Sequence, residues 1–405
     1  MLAPERRTRV DLIVAAAIVI VLVVVAAVVW FRSDARGTTS VTNETPPEAA
    51  ETVLTVPETL EPVWEATSSA TDTPVVAAKA VVVTADGGTV IGRDRTTGDE
   101  VWRYERDIDL CGAVAAWDEV VAVYRDDRGC SQVTALAGGT GVLEAQRNSD
   151  ADQAVAVSNG GTYVVSRGDS RMELWRSDLV RTVEYGRVDA PINPNKQPRS
   201  GCVLRDAATS SSRTAVLERC PGEQADRLTI LSPAPEDGQE PEEYGSSVLA
   251  DLDVDAGGAR ILAVEGDTTA VYLPAGATAG DRIGVYGGDG EEVSVTPLPR
   301  PVGPEVLTSS TPEGLTWWTG TEVMRLNQTD LHPDWAFVGA IGPGAAMGSN
   351  FLVPVPTGIA VLDGATGRPL RTIPVDRGDY EGPVTTSVVG DVILEQRGDT
   401  VVALR

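Results

Sequence analysis

The sequence predicts an all-β protein, an eight-bladed β-propeller preceded by one transmembrane helix and a flexible linker. Three observations support this prediction. An apolar run without charges lies near the N-terminus, and a pattern of four short strands returns about every 44 residues. One strand is left over before the first repeat, and the last repeat lacks its fourth strand. Aromatic residues make up only 5% of the chain, while valine, alanine, glycine and threonine are abundant. This composition favours strands over packed helices.

The apolar run covers residues 12–31 and contains no charged side chain. At about 1.5 Å per residue it spans about 30 Å, the thickness of the hydrocarbon core of a bilayer. Arg6, Arg7 and Arg9 precede it, so we expect residues 1–11 to remain in the cytoplasm and the rest of the chain to lie outside. A cleaved signal peptide is the alternative, but its apolar region is usually about 7 to 15 residues long. The sequence therefore predicts a signal-anchor helix in the cell membrane.

Residues 32–60 are rich in threonine, glutamate and proline and show no periodicity. Such a composition is typical of flexible linkers. We therefore expect the folded domain to comprise residues 61–405.

Most repeats begin with two apolar runs, continue with an alternating strand, and reverse at a turn before a fourth strand. The clearest copies cover residues 89–105, 132–146 and 358–373, and each contains a Thr-Gly pair at its turn. Glycine tolerates the positive φ that such a reversal requires. The third strands of the eight copies are predicted to begin at residues 89, 132, 172, 228, 282, 322, 358 and 400. Residues 190–250 are poorly patterned, which leaves seven blades as an alternative.

The two ends of the repeat region are predicted to form one blade together. The last copy stops after its third strand at residues 400–404, and a strand-like segment at 62–66 has no copy of its own. Pairing these segments would complete the last blade and remove the open edges of the ring.

The four cysteines form two pairs with similar separations, Cys111 with Cys130 and Cys202 with Cys220. Neither pair has the short spacing of metal ligands. In an exported chain, two such local separations favour two structural disulfides. The other two pairings would connect more distant segments and remain possible.

The segment GGTVIGRDRTTGDEVWRYE at 87–105, with its echo at 358–373, resembles the repeat of the pyrroloquinoline-quinone-like (PQQ-like) β-propellers. It is also similar to the propeller lipoproteins that scaffold outer-membrane protein assembly. The resemblance implies that the tryptophan of each repeat docks one blade on the next. In the quinoprotein dehydrogenases of that superfamily it would further imply a cofactor beside a vicinal disulfide, with calcium and a catalytic aspartate. No Cys-Cys pair is present in this sequence, and the acidic ligands fall on no matching motif. We therefore expect no cofactor.

The charge of the chain argues against nucleic acid as a partner. It has 33 basic and 59 acidic side chains and a net charge of −26, whereas a protein that binds nucleic acid needs clustered lysine and arginine. The only histidine, His332, makes a multi-histidine metal site or a catalytic triad improbable.

These observations predict a non-enzymatic binding or scaffolding module of the cell envelope that contacts another envelope protein. We expect the contact in segments that depart from the repeat, namely residues 190–200, residues 236–243 and the doublet Trp317-Trp318. Because neighbours on a strand face opposite ways, one indole of the doublet is expected to be exposed. The candidate contact residues are Asn195, Lys196, Glu236, Asp237, Trp317 and Trp318.

Two other functions remain open from the sequence. One is a quinone- or metal-dependent oxidoreductase, or a hydrolase, with carboxylates converging in the propeller channel. The other is a sensor whose helix relays ligand binding through the membrane to a partner.

Overall fold

A computed structural model describes residues 8–31, 34–189, 192–252, 258–311 and 314–405. It begins with one helix, α1 (Arg9–Phe31), which is long and apolar enough to cross a membrane. None of its residues is buried against the rest of the protein. Outside this helix and a short 3₁₀ turn at Asp34–Gly37, the regular elements of the described chain are strands.

Two strands precede the repeats, β1 (Thr38–Val41) and β2 (Pro62–Thr67). Blades 1 and 2 contain β3 (Val75–Ala77), β4 (Val81–Asp86), β5 (Thr89–Asp94), β6 (Glu100–Arg106), β7 (Leu110–Ala116), β8 (Glu119–Asp126), β9 (Gly129–Ala137) and β10 (Leu143–Asn148). Blades 3 and 4 contain β11 (Ala156–Asn159), β12 (Val164–Arg167), β13 (Arg171–Trp175), β14 (Arg181–Gly186), β15 (Val203–Thr209), β16 (Thr214–Arg219), β17 (Arg227–Leu231) and β18 (Glu243–Val248).

Blades 5 and 6 contain β19 (Arg260–Glu265), β20 (Thr268–Leu273), β21 (Arg282–Tyr286), β22 (Glu292–Pro297), β23 (Leu307–Thr311), β24 (Gly314–Trp318), β25 (Glu322–Leu326) and β26 (Pro333–Val338). Blades 7 and 8 contain β27 (Ala345–Met347), β28 (Asn350–Val355), β29 (Gly358–Asp363), β30 (Pro369–Pro374), β31 (Val384–Val389), β32 (Val392–Arg397) and β33 (Thr400–Leu404).

These strands form eight antiparallel sheets, which confirms the eight-bladed propeller and overturns the seven-blade alternative. Every third strand begins within a few residues of its predicted start, including β17 in the poorly patterned region. The turns explain the agreement. Gly98, Gly141 and Gly367 all adopt positive φ, as the Thr-Gly pairs predicted.

The ring closes as the sequence predicted. Strand β2 pairs antiparallel with β33, with Pro62 opposite Leu404 and Thr67 opposite Thr400. Blade 8 therefore takes its outer strand from the beginning of the domain and its other three from the end. This pairing leaves no open edge between the first and last repeats.

Alternating strand directions give the disc two faces. The connections between blades, together with the turns between second and third strands, lie on one face, which we call the loop face. The turns between first and second strands and between third and fourth strands lie on the other, which we call the turn face. Both disulfides, Cys111–Cys130 and Cys202–Cys220, form at the loop-face ends of blades 2 and 4 and confirm the predicted pairing.

The segment predicted as a flexible linker contacts the propeller instead. Strand β1 adds a fifth strand to blade 1 by pairing with β6. The chain then crosses the turn face, where the amide of Ala50 donates to the carbonyl of Lys79 and Arg371 donates to the carbonyls of Val56 and Pro57. Leu60 is buried at the end of this path. The apolar side chains spaced along residues 53–60 supply the physical reason, because they pack against blades 7 and 8.

Tryptophans on outer strands join neighbouring blades. The indole N–H of Trp102 in blade 1 donates to the carbonyl of Gly138 in blade 2 at 2.9 Å. Trp64 of blade 8 reaches the carbonyl of Arg95 in blade 1 in the same way, at 3.0 Å. Trp335 of blade 6 reaches Gly364 of blade 7 at 3.1 Å. The inter-blade role implied by the resemblance is thus present at three interfaces.

Removing the disulfide of blade 4 should lower the free energy of unfolding measurably. We expect the double variant C202A/C220A to lose about 3 kcal/mol, because the bond closes a loop of 18 residues in the unfolded chain. Urea denaturation of the full-length protein in detergent measures this loss. Reduction of the wild type removes both disulfides and should lower the free energy of unfolding further than the double variant does, and equal midpoints for variant and wild type would contradict the prediction.

Candidate functional site

The two irregular segments singled out from the sequence come together at the outer rim between blades 3 and 4. Residues 192–202 form most of the connection from β14 to β15, and residues 190 and 191 of the predicted segment lie outside the described part of the chain. Residues 232–242 form the turn between β17 and β18. We call these two segments the rim loops. The connection and the turn that contain them are each longer than their counterparts in the other blades.

Polar side chains connect the rim loops to one another. The ammonium of Lys196 lies 2.9 Å from a carboxylate oxygen of Glu240, and the amide of Asn193 donates to the other oxygen at 2.8 Å. The backbone N–H of Ile192 donates to the side chain of Gln239 at 2.9 Å. Three contacts between segments more than forty residues apart hold the loops in one arrangement.

The rim loops also bind the outer edge of blade 3. The backbone N–H of Glu184 in β14 donates to the carbonyl of Gly238 at 2.7 Å. The side chain of Gln197 accepts from the N–H of Gly186 and donates to the carbonyls of Glu184 and Gln239. Backbone groups of an outer strand that would otherwise face solvent are therefore paired, which leaves the rim loops as the exposed surface here.

A buried ionic group supports the rim loops from beneath. Arg199 forms ion pairs with Glu243 and Glu218. Burial, together with the nearby Glu218 carboxylate, raises the pKa of Tyr185, whose hydroxyl donates to that carboxylate at 2.9 Å. Burial likewise raises the pKa of Glu218. The base of the rim loops is consequently fixed by charge-assisted hydrogen bonds.

The predicted contact residues in these loops have different environments. Asn195, Lys196 and Glu236 are exposed, and Asn195 adopts a left-handed backbone with φ of 61°. Asp237 is partly buried and accepts the backbone N–H of Gln239 at 2.9 Å, so it also shapes the turn. Their role in binding a partner stays a prediction.

The tryptophan doublet requires a correction, because neither ring is exposed. Trp317 is 0% and Trp318 is 6% exposed. Trp317 packs against Tyr272 of blade 5, with ring centroids 5.4 Å apart, and Trp318 donates to the carbonyl of Ala340 at 2.9 Å on the blade 7 side. Opposite orientation on a strand does not imply exposure here, since a middle strand of a propeller blade has another blade on both sides.

The inner strands that line the central channel bear few acidic groups. In the part of these strands that the structure describes, the carboxylates are Asp206 in β15 and Glu265 in β19. Asp206 contacts Ile261 near the start of β19, whereas Glu265 ends that strand, which separates them by about 13 Å along the sheet. Burial raises the pKa of both groups, and for Asp206 the hydrogen bond from Ile261 acts in the opposite direction. This geometry gives no support to a pair of carboxylates acting together.

Two other groups that could carry chemistry, His332 and the Cys202–Cys220 disulfide, make contacts that are structural. His332 is half-buried between blades 5 and 6, and its ring nitrogens lie 3.1 Å from the hydroxyls of Ser294 and Thr296. Cys202, Cys220 and Glu218 lie close together, but both sulfurs are engaged in the disulfide. Thiolate, the form of cysteine that binds metals, is therefore not present.

No protein-family model matches the chain, and no curated protein matches its sequence. Solved propellers share its fold. BamB from Moraxella catarrhalis matches with a TM-score of 0.51 at 13% identity, over 85% of this chain and 99% of that chain. The C-terminal WD40 domain of Sif2 matches with 0.53 at 10%, over 86% and 99%. Sqt1 from Saccharomyces cerevisiae matches with 0.53 at 9%, over 88% and 99%. At these identities the similarity concerns the fold alone, and membership of the PQQ-like family stays a prediction.

Sequence reasoning found the two rim loops but missed the residues that join them. Gln197, Gln239 and Glu240 make most of the connecting hydrogen bonds. Each is a single polar residue in an irregular segment and matches no motif. Only the departure of both segments from the repeat could be recognised in the sequence.

Proposed function

We propose that this protein is a binding or scaffolding module of the cell envelope, and that the rim loops contact an envelope protein. The observation that supports it best is the arrangement of these loops. They depart from a regular frame, contact one another through Lys196, Asn193 and Ile192, and are fixed on the outer edge of blade 3. A preorganised surface loses little conformational entropy on binding, which favours recognition of a folded partner.

The same proposal includes a membrane anchor with the propeller outside. Helix α1 is long and apolar enough to span a bilayer, and three arginines precede or begin it. Two disulfides favour an oxidising compartment for the propeller. These observations support a single-pass membrane protein with a cytoplasmic N-terminus.

The anchor would hold the disc close to the bilayer. The carbonyl of Gly37 accepts from the backbone N–H of Asp107 at the loop-face end of blade 1. Only residues 32–37 separate α1 from β1, and because residues 34–37 form a 3₁₀ turn, this connection is shorter than the roughly 20 Å that six fully extended residues could reach. A partner within this distance of the membrane surface, such as the periplasmic or extracellular part of another membrane protein, is the class that the proposal favours.

The two lysines of the chain make a sharp test possible. Lys196 lies in the rim loops and Lys79 lies on the turn face, and both are exposed. We expect an amine-reactive crosslinker, applied to native membranes, to join a recurrent stoichiometric envelope protein to Lys196. Mass spectrometry of the crosslinked peptides identifies the lysine used.

Matched variants separate the two surfaces. K196R keeps the positive charge beside Glu240 but removes the reactive amine, so capture should disappear, whereas K79R should leave capture unchanged. Capture that persists in K196R and disappears in K79R would assign the contact to the turn between β3 and β4 of blade 1, away from the rim loops, and overturn the proposal. Absence of any protein above the level captured by an unrelated tethered propeller would overturn it as well.

A further inference from the structure

A second feature lies on the loop face, where a cavity of 390 Å³ opens among blades 3, 4 and 5. Strand β12 reaches it at its end, and β15 and β19 reach it near their starts. The inner strands of two blades thus contribute to it beside the mouth of the central channel. Its lining residues are Arg167, Asp169, Val203, Leu204, Arg205, Asp206 and Arg260.

A β-bulge presents one of these arginines. In the pairing of β15 with β16, Leu204 lies opposite Glu218 and Asp206 lies opposite Leu217, so Arg205 is the extra residue. A bulge leaves its extra residue outside the ladder and redirects the side chain. Arg205 is exposed, and within the described part of the chain its guanidinium makes neither an ion pair nor a hydrogen bond.

The other two arginines are held in place by backbone carbonyls. Arg167 donates to the carbonyl of Leu204 at 3.1 Å, and Arg260 donates to that of Ala259 at 3.2 Å. Each of these bonds uses one terminal nitrogen of its guanidinium, which has five N–H groups to donate. Both side chains therefore retain donors for a ligand in the cavity.

The two acidic groups in the lining do not neutralise the three arginines. Asp169 is largely exposed and lies 3.9 Å from Arg167, a weak ion pair in water. Both oxygens of Asp206 accept backbone N–H groups, from Ala207 at 2.9 Å and Ile261 at 2.8 Å. Three guanidinium groups and two carboxylates leave an excess of one positive charge, in a chain whose net charge is −26.

We propose that this cavity binds a carboxylate group, carried by a small organic acid or by the free C-terminus of a peptide. A single negative charge balances the excess of the lining, and the planar guanidinium matches a carboxylate with two parallel hydrogen bonds. Val203, whose side chain is exposed, provides apolar surface for the remainder of the ligand, whereas the Leu204 side chain is buried in the core beneath the cavity. The inference goes beyond the scaffold function, because the cavity and the rim loops can be tested and can fail independently.

The test uses full-length protein in detergent and two probes of the same shape, N-acetyl-leucine and N-acetyl-leucinamide. Ligand-observed NMR titration should show saturable binding of the acid and none of the amide. In R205Q and in R260Q the acid should bind at least about tenfold more weakly, since each removes one charge-assisted contact. R368Q removes an exposed arginine from the turn face and should bind like the wild type.

A third probe distinguishes the two sources of the carboxylate. A hexapeptide ending in leucine with a free C-terminus would bind more tightly than N-acetyl-leucine if the ligand is a peptide end, and no more tightly if it is a small acid. Equal binding of the acid and the amide would overturn the proposal. So would unchanged binding in both R205Q and R260Q, or tighter binding of inorganic phosphate than of the acid. Thermal unfolding of each variant verifies that it is folded.

Discussion

Replacing Trp102 with alanine should lower the free energy of unfolding by about 3–5 kcal/mol, the range for deleting a large buried aromatic side chain. Trp102 is fully buried and donates to a carbonyl of the next blade. Its ring lies between two glycines. A Cβ at Gly92 would come within 2.2 Å of the ring, and one at Gly141 would come within 2.8 Å of Trp102. Neither glycine has a side chain that could move into the space that the indole leaves.

Urea denaturation of the full-length protein measures this loss. Two further variants, W102F and W117A, show how much of it comes from the contacts of Trp102. W102F should lose less, because it keeps apolar surface and gives up the hydrogen bond to Gly138. W117A should cost less, about 1 kcal/mol, because Trp117 lies in a partly exposed turn and contributes mainly the hydrogen bond from its indole N–H to the carbonyl of Thr162 in blade 3, at 3.2 Å. If W102A were no more destabilising than W117A, docking by Trp102 would not contribute to the stability of the interface.

The parts of this fold that the sequence predicted depend on local signals. In three copies a Thr-Gly turn between alternating strands indicates a hairpin from local sequence, and the repeat period places the third strands of the other copies within a few residues. The pairing of β2 with β33 followed from counting strands, because one segment lacked a repeat and one repeat lacked a strand.

The parts that were missed depend on contacts between distant residues. The segment from β1 to Leu60 was predicted to be flexible because of its composition, yet its few apolar residues suffice to bind it to the turn face. For the doublet Trp317-Trp318, the opposite orientation of neighbours on a strand predicts one exposed indole, whereas adjacent blades cover both sides of the sheet.

The candidate sites show the same limit. Lys196 and Glu236 could be proposed from irregular sequence, but the contact of Lys196 with Glu240 depends on how the two loops fold onto β14. The bulge that presents Arg205 is a property of the register between two strands, and neither strand alone indicates it. Sequence pattern identified one of the two candidate surfaces, and only the fold could assemble the other.

Replacing Glu395 with alanine should also lower the free energy of unfolding by about 3–5 kcal/mol, the cost of leaving a buried charge without its partner. Glu395 in β32 is 0% exposed and accepts hydrogen bonds from Arg377 at 2.6 and 2.9 Å and from Arg397 at 2.8 Å. Arg377 also donates to the carbonyls of Val355 and Gly358 in blade 7. The carboxylate thus joins blade 7 to the blade that closes the ring.

A double-mutant cycle with Arg377 tests whether this cost arises from the unpaired charge. In E395A/R377A one of the two guanidinium groups that lost the carboxylate is absent and only Arg397 is left without it, so the double variant should be less destabilised than the sum of the two single variants. D178A breaks the exposed pair of Arg176 and Asp178 and should change the free energy of unfolding by only about 0.5 kcal/mol. A cycle with strictly additive losses would instead assign the cost to lost packing. The ring would then depend on the strand pairing of β2 with β33 and on tryptophan docking, and not on the ionic contact between blades 7 and 8.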